Sequence, residues 1–230
     1  MKTIGLIGGM SWESSLEYYR IINETVKEKL GKSHSCESIM YSVDFAEYDK
    51  LQHEGKWKLI TERIIAIANK LERAGADFVV ICTNTIHKVA EDVQKNIDIP
   101  LLHIADTAAE EIKSKKLDKV GLLGTKFTME QDFYKERISK NYGIDVIIPE
   151  AKERKVIHQV IYKELVSGIL RDESREKFKN IIQNLKVRGA EGVIMGCTEI
   201  PLLINNDASI LPVFNTTELH AQKAVELALG

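Results

Sequence analysis

The chain has 230 residues, with 32 Lys and Arg against 34 Asp and Glu, and 44% of its residues are hydrophobic. These are ordinary values for a globular protein, so they exclude disordered and fibrous classes. A net charge of −2 without a basic cluster also argues against a nucleic-acid partner, which would have to be bound through concentrated positive charge.

The same composition bears on membranes, location and metals. No apolar run approaches the ~20 residues that span a bilayer, and the first ten residues resemble a strand rather than a signal peptide. Cys36, Cys82 and Cys197 are an odd number of widely spaced cysteines, which disfavours a disulfide framework. We therefore expect a cytoplasmic protein with no membrane association. No Cys-x-x-Cys pair is present, so no metal site is expected.

Short apolar runs alternate with amphipathic stretches along the whole chain. The runs are continuous rather than alternating in hydrophobicity, which is typical of parallel strands covered on both faces. They are residues 3–7, 39–43, 78–81, 101–104, 119–123, 145–148, 192–195 and 211–214. The stretches between them have the 3.6-residue period of helices. This order predicts an α/β fold with parallel sheets.

An internal repeat divides the chain. The Gly-Leu-Ile-Gly run at residues 5–8 resembles Gly-Leu-Leu-Gly at residues 121–124, and a second similar pair is found at residues 74–80 and 188–194. The repeat predicts two pseudo-symmetric domains with four strands each, one formed by residues 1–103 plus 214–230 and the other by residues 104–213. Ligands of parallel sheets bind at the carboxyl ends of the strands, so we expect the active site in a cleft where those ends face each other.

The third strand of each half is followed by residues that could carry chemistry. Cys82 and Thr83 follow it in the first half, whereas Cys197 and Thr198 follow it in the second. An ungapped repeat aligns Thr83 with Cys197, and it aligns Cys82 with Gly196 at the end of the strand. We therefore expect Thr83 and Cys197 to be the functional pair and Cys82 to point into the core.

Such a pair suits the inversion of a stereocentre, because one group removes a proton from one face and another returns a proton to the opposite face. A thiolate whose pKa is lowered at a helix N-terminus is a good base, and Cys197 has that position. Threonine is a much weaker base, so Thr83 is expected to act as a proton donor, through water or with help from His87 one helical turn later. Backbone N–H groups, with Asn84, Thr85 and Thr198, would bind the substrate carboxylate.

The motifs resemble those of the aspartate/glutamate racemase superfamily over essentially the whole chain. The matching residues are Gly8-Gly9-Met10, Thr83-Asn84-Thr85 with His87, Gly196-Cys197-Thr198-Glu199, and His220. The resemblance implies a racemase without cofactor, active on an acidic amino acid such as aspartate or glutamate and commonly a homodimer. It also implies substrate contacts from Met10, Ser11, Gln52 and Thr125. Cys82, His87, Glu199 and His220 would lie in supporting positions.

The sequence departs from the usual pattern at Thr83, where most members carry cysteine. A bacterial subgroup with threonine there favours the L-enantiomer, and this is the activity implied here. Two alternatives remain open. One is an isomerase or decarboxylase of a small dicarboxylate in the same superfamily, and the other is a binding protein that holds a carboxylate without catalysis.

Overall fold

The computed structural model describes residues 1–230, which divide into two compact units. The first unit contains Met1–Ile104 and His220–Gly230, and the second contains Ala105–Leu219. Each has one four-stranded sheet in which every pairing is parallel. The α/β architecture with parallel sheets, predicted from the continuous apolar runs, is confirmed.

The sheet of the first unit has the strand order β2-β1-β3-β4. Its strands are β1 Ile4–Gly8, β2 Ser38–Ser42, β3 Phe78–Ile81 and β4 Leu101–Leu102. The helices are α1 Trp12–Leu30, α2 Phe45–His53, α3 Trp57–Arg73 and α4 Ala90–Gln94, with a 3-10 turn at Thr85–Val89. Helices cover both faces of this sheet: α2 and α3 pack on one core cluster, whereas α1 and the end of α11 (Thr216–Leu229) pack on another.

The sheet of the second unit has the order β6-β5-β7-β8. Its strands are β5 Lys119–Gly124, β6 Asp145–Ile147, β7 Gly192–Gly196 and β8 Val213–Asn215. The helices are α5 Ile104–Ser114, α6 Lys126–Glu130, α7 Asp132–Tyr142, α8 Ala151–Lys163, α9 Asp172–Val187 and α10 Ile200–Leu203, with a 3-10 turn at Leu165–Ser167. The largest core cluster lies between this sheet, α8 and α9.

The two units repeat the same backbone hydrogen bonds. The N–H of Val79 donates to the carbonyl of Pro100, and the N–H of Val193 donates to that of Pro212, both at 2.8 Å. In the sheets, Gly5 pairs with Val79, and Gly121 pairs with Val193. This pairing confirms the register of the sequence repeat, in which Thr83 corresponds to Cys197.

The domain boundaries differ from the expected ones on the C-terminal side. The first unit resumes at His220 rather than at residue 214. The reason is that β8 hydrogen-bonds to β7 and therefore belongs to the second sheet. The hydroxyl of Thr216 also donates to the carbonyl of Met195 at 2.8 Å, which ties the start of α11 to that sheet. Strand β4 is shorter than predicted because α5 begins at Ile104.

No helix is long and apolar enough to serve as a membrane span.

The turn after β1 depends on Gly9. Its φ is +89°, and an added Cβ would lie 2.3 Å from the carbonyl oxygen of Val43. Gly75 has a similar φ of +97°, but no atom lies within 4 Å of its added Cβ. An alanine at either position would have the same unfavourable backbone conformation, but only the alanine at residue 9 would also overlap with a neighbouring atom.

We expect Gly9→Ala to lower the free energy of unfolding by on the order of 4 kcal/mol, and Gly75→Ala by only about 1 to 2 kcal/mol. The larger effect arises because the backbone at Val43 has to move to accommodate the methyl group. Urea denaturation of both variants measures the difference. Equal losses of stability would show that the contact with Val43 carries no cost.

Candidate active site

Cys197 directly follows β7 and is nearly buried, with 8% of its surface exposed. Its thiol donates a hydrogen bond to Oε2 of Glu199 at a distance of 2.9 Å. Glu199 is equally buried, at 8% exposure. The carboxylate and the thiol therefore form a close pair in the turn between β7 and α10.

The pKa of Cys197 is raised well above its ordinary value, first by burial and then by the negative charge and hydrogen bond of Glu199. Backbone N–H groups of Glu199 and Thr198 act in the opposite direction without reversing the effect. The expectation of a pKa lowered by a helix N-terminus is wrong. The helix α10 begins only at Ile200 and has four residues, so its dipole is small, and Glu199 precedes it.

Thr83 occupies the corresponding place after β3. It is partly exposed, whereas Cys82, Asn84 and Thr85 around it are buried. Its backbone N–H donates to the carbonyl of Ile81 at 2.9 Å, which closes a tight turn at the strand end. The Thr83 side chain is therefore the more accessible polar group in this turn.

His87 lies one helical turn after Thr83 and hydrogen-bonds to its backbone. The N–H of Ile104 donates to Nε2 of His87 at 3.2 Å, so Nδ1 carries the proton and donates to the carbonyl of Thr83 at 2.7 Å. Both ring nitrogens of His87 are thus hydrogen-bonded to backbone groups. These hydrogen bonds support the turn, and help from His87 with proton transfer at Thr83 stays a prediction.

Cys82 lies in the interior of the first unit, among residues of the core that contacts α1 and α11. Burial raises the pKa of its thiol. Its carbonyl accepts a hydrogen bond from the hydroxyl of Ser14 at 2.7 Å, which joins α1 to the end of β3. The side chain is 1% exposed, as the register of the repeat predicts for a core cysteine.

His220 also has a supporting role within the first unit. Its Nε2 lies 2.9 Å from the carbonyl of Leu102 and donates to it, so Nδ1 accepts from the hydroxyl of Tyr18 at 2.8 Å. These bonds connect α11 to β4 and α1. Burial lowers the pKa of His220 to about 4.

Two of the expected substrate-contact residues are helix caps after the first strand of each unit. Ser11 accepts from the N–H of Ser14 at the start of α1, and Thr125 accepts from that of Thr128 at the start of α6. Ser11 and Thr83 follow adjacent strands, β1 and β3, so they lie at one edge of the first sheet. Thr125 and Cys197 follow β5 and β7 at the corresponding edge of the second sheet.

The other residues expected to contact the substrate differ in burial and in position. Met10 packs in the core beside α2 and α3, and Gln52 is a buried residue of α2. Asn84 and Thr85 are buried at the start of the 3-10 turn, whereas Thr198 is partly exposed. The contact of Gln52 with substrate stays a prediction.

Sequence reasoning did not single out Ser15 or Thr217. The hydroxyl of Ser15 accepts from the N–H of Gly9 at 2.7 Å and thereby fixes the turn after β1. Thr217 follows β8, next to the β7 end that carries Cys197, and its buried hydroxyl has no hydrogen-bond partner. The Thr-Thr pair after the last strand is the only sequence signal that could have indicated the second residue.

A separate groove of about 380 Å³ lies in the first unit, between β2, α2 and α3. Its two cationic side chains already have partners, because Arg63 pairs with Glu47 and Lys70 lies 3.3 Å from the hydroxyl of Tyr41. The groove contains none of the expected site residues. No group of three or more His, Cys, Asp or Glu side chains is arranged to hold a metal ion.

The strand-end residues, a thiol at one sheet and a hydroxyl at the matching position of the other, fit an enzyme class that moves protons. The chain matches the family model for Asp/Glu/Hydantoin racemase over residues 7–224. It therefore belongs to the Asp/Glu/Hydantoin racemase family.

Relatives agree with this assignment. A Yersinia pestis protein solved as a candidate Asp/Glu racemase is 48% identical, with a TM-score of 0.95 and coverage of 100% of both chains. PH1733 of Pyrococcus horikoshii OT3, an aspartate racemase homologue, is 38% identical, with a TM-score of 0.88 and the same coverage. The broad specificity amino-acid racemase RacX of Bacillus subtilis is 23% identical over 99% of this chain and 98% of its own. Matches to glutamate racemases span between 50% and 66% of those proteins' length.

The pH dependence of the free energy of unfolding tests whether His220 is neutral in the folded protein. Because the pKa of His220 is about 4 in the folded protein and about 6.5 when unfolded, the unfolded chain binds the extra proton between these values. We expect this residue to remove about 2 kcal/mol of unfolding free energy as the pH falls from 7 to 5. Urea denaturation of the wild type and of His220→Gln at both pH values isolates the effect. A constant difference between the two proteins would contradict the neutral, buried state of His220.

Proposed function

We propose that the chain is a racemase that interconverts L- and D-aspartate, L- and D-glutamate, or both, with Cys197 and Thr83 as the groups that move the α-proton. The observation that carries the proposal is the shared register of the two residues. Each lies four residues beyond the strand residue that pairs with Gly5 or Gly121. Two proton-handling groups at equivalent positions of a duplicated fold match the two opposite faces of one α-carbon.

In the proposed reaction, Cys197 removes the α-proton from one enantiomer and Thr83 returns a proton on the other face, directly or through water. Threonine is a poor base, so the direction in which Cys197 removes the proton should have the higher kcat, and the L-enantiomer is the proposed substrate. Asn84, Thr85 and Thr198, together with the backbone N–H groups of their turns, would bind the carboxylate and stabilise the negative charge that develops beside it.

The proposal includes no pyridoxal phosphate, because side chains of the protein supply both proton-transfer groups. A cytoplasmic location is proposed with it. This location is supported by the three cysteines, all of which are free thiols.

Proton NMR in D₂O, followed by chiral analysis, tests the reaction with L- and D-aspartate and L- and D-glutamate. The wild type is expected to remove the α-proton signal and to form the opposite enantiomer. Cys197→Ala should lower the exchange rate by at least about 1,000-fold while leaving the fold intact, because the other thiol that follows a central strand, that of Cys82, is buried in the core of the first unit. Cys36→Ala, which removes a partly exposed thiol elsewhere in the chain, is the matched control and should keep full activity.

The same samples discriminate the alternatives. Exchange without inversion would mean that Cys197 works and that Thr83 does not return the proton, as in a one-sided reaction. Thermal stabilisation by the amino acids without any exchange would favour a carboxylate-binding protein. Retained racemisation in Cys197→Ala would contradict the proposed role of the thiol.

A homodimer is proposed as the assembly, supported by an exposed apolar face of α1. Trp12, Leu16 and Tyr19 are 64%, 55% and 51% exposed and follow each other at helical spacing. The next element in the chain, β2, is the longest edge strand of either sheet, with five residues and no charge. Uncovered faces and long uncharged edges of this kind are commonly buried by a partner.

Light scattering coupled to size exclusion should give twice the chain mass of 26.0 kDa for the wild type. Leu16→Glu should shift the protein toward the monomer, because a carboxylate would be buried at the interface. Val187→Glu, at an exposed apolar residue of α9, is the control and should leave the mass unchanged. A wild-type mass of one chain would refute the dimer.

A further inference from the structure

We propose that Glu199 takes up the proton of the Cys197 thiol when Cys197 becomes the base, and that it returns this proton when Cys197 acts as the acid. This inference rests on the proposed racemase function and concerns the same site. Glu199 acts through Cys197 rather than on the substrate, so it is a positioning residue that also stores a proton. The pair then alternates between a thiol with a carboxylate and a thiolate with a carboxylic acid.

The contact between the two side chains supports direct transfer. The donor sulfur and Oε2 of Glu199 are 2.9 Å apart, and the residues are two positions apart in one turn. Only 8% of either residue is exposed, so water has little access to the shared proton. A proton that leaves the sulfur is therefore transferred to the carboxylate oxygen of Glu199 before it can reach water.

The surroundings make ionisation toward solvent unfavourable. The elements in closest contact with α10 are β7 and the 3-10 turn Leu165–Ser167, and neither carries an ionisable side chain. From α9, Arg175 donates to the carbonyl of Leu203 at the end of α10 at 3.1 Å, and its charge is paired with Asp172. Glu199 is the charged side chain that raises the pKa of the thiol. Loss of the proton to water would place a second negative charge beside the first in a buried site. Transfer within the pair keeps its total charge at −1 and avoids that cost.

The step is balanced in protons and charge. The S–H bond of Cys197 breaks and an O–H bond forms on Glu199, which leaves the electron pair on sulfur. The sulfur then takes the α-proton, so the C–H bond breaks, a new S–H bond forms and the negative charge moves to the substrate. On the other face, the proton lost by the Thr83 hydroxyl is replaced through water, and Glu199 gives up its stored proton to solvent after product release. In the reverse direction the same steps run backwards. The Thr83 hydroxyl first gives a proton to water and Glu199 first takes one from solvent; Glu199 then passes its proton to the thiolate that remains when Cys197 protonates the substrate.

Glu199→Gln separates proton storage from the electrostatic effect of the carboxylate. The amide keeps the size and a hydrogen-bond acceptor but cannot take up a proton. We expect the α-proton exchange rate to fall about 100-fold, as for loss of a general acid–base group, with little change in KM. Removal of the negative charge should at the same time lower the pKa of Cys197. Alkylation of Cys197 by iodoacetamide at pH 8, followed by peptide mass spectrometry, should therefore become on the order of tenfold faster.

Slower α-proton exchange combined with faster alkylation of Cys197 distinguishes proton storage by Glu199 from other roles of this residue. A faster exchange together with faster alkylation would mean that Glu199 only suppresses the thiolate, and unchanged values of both would mean that it has no role. Either result overturns the proposal. Glu173→Gln removes an exposed carboxylate of the same unit and is the matched control, with no change expected in either rate. Glu199→Asp, which retains a proton acceptor at a shorter reach, should recover part of the exchange rate lost in Glu199→Gln.

A measurement on the wild type keeps the test valid if Glu199→Gln does not fold. The pH profile of α-proton exchange is compared with that of Cys197 alkylation. Exchange should reach its plateau at a lower pH than alkylation, because catalysis begins from the protonated thiol of Cys197, whereas alkylation needs a preformed thiolate. Coincident profiles would refute the proposal. If none of the four amino acids exchanges, the racemase proposal fails, and an alkylation rate that is the same in wild type and Glu199→Gln would separately reject the coupling of Glu199 to the thiol.

Discussion

The parallel pairing of the first and third strands in each unit is the constraint on which the site depends. These central strands are buried on both faces, so their backbone groups have to hydrogen-bond to one another, and this fixes the register. Close packing requires glycine at the end of β5: a Cβ at Gly124 would lie 2.8 Å from the carbonyl oxygen of Gly196. With the strands fixed, the turns that follow them carry Thr83 in one unit and Cys197 in the other. The chemistry is therefore positioned by backbone pairing.

Around these turns, most polar side chains hold the backbone. His87 and His220 each use both ring nitrogens for hydrogen bonds, and Ser14 and Ser15 bind backbone groups near the end of β3 and at the turn after β1. Such buried, satisfied networks stabilise a single arrangement. Cys197 is different because its partner is an ionisable side chain. In the proposed mechanism, this contact allows a proton to move between the Cys197 thiol and the Glu199 carboxylate.

Much of the fold could be predicted from the sequence, because continuous apolar runs identified all eight strands and the glycine repeat identified the duplication. The register of Thr83 with Cys197 followed from the same repeat. The state of the Cys197 thiol did not, because helix polarity was inferred from position, whereas the helix begins three residues later and a carboxylate lies beside the sulfur. The roles of His87 and His220 were equally inaccessible. Both depend on partners distant in sequence, such as Leu102 for His220.

The unequal pair of Thr83 and Cys197 has a consequence for how an L-preference can be expressed. Two enantiomers have the same free energy in water, so the equilibrium constant of a racemisation is one. The Haldane relation then requires kcat/KM to be equal for both directions, whatever groups the enzyme uses. A weak base on one face therefore cannot change the relative kcat/KM of the two directions. It can only give a higher kcat together with a proportionally higher KM in the direction that begins at Cys197. Net formation of one enantiomer would have to come from a later step that consumes it.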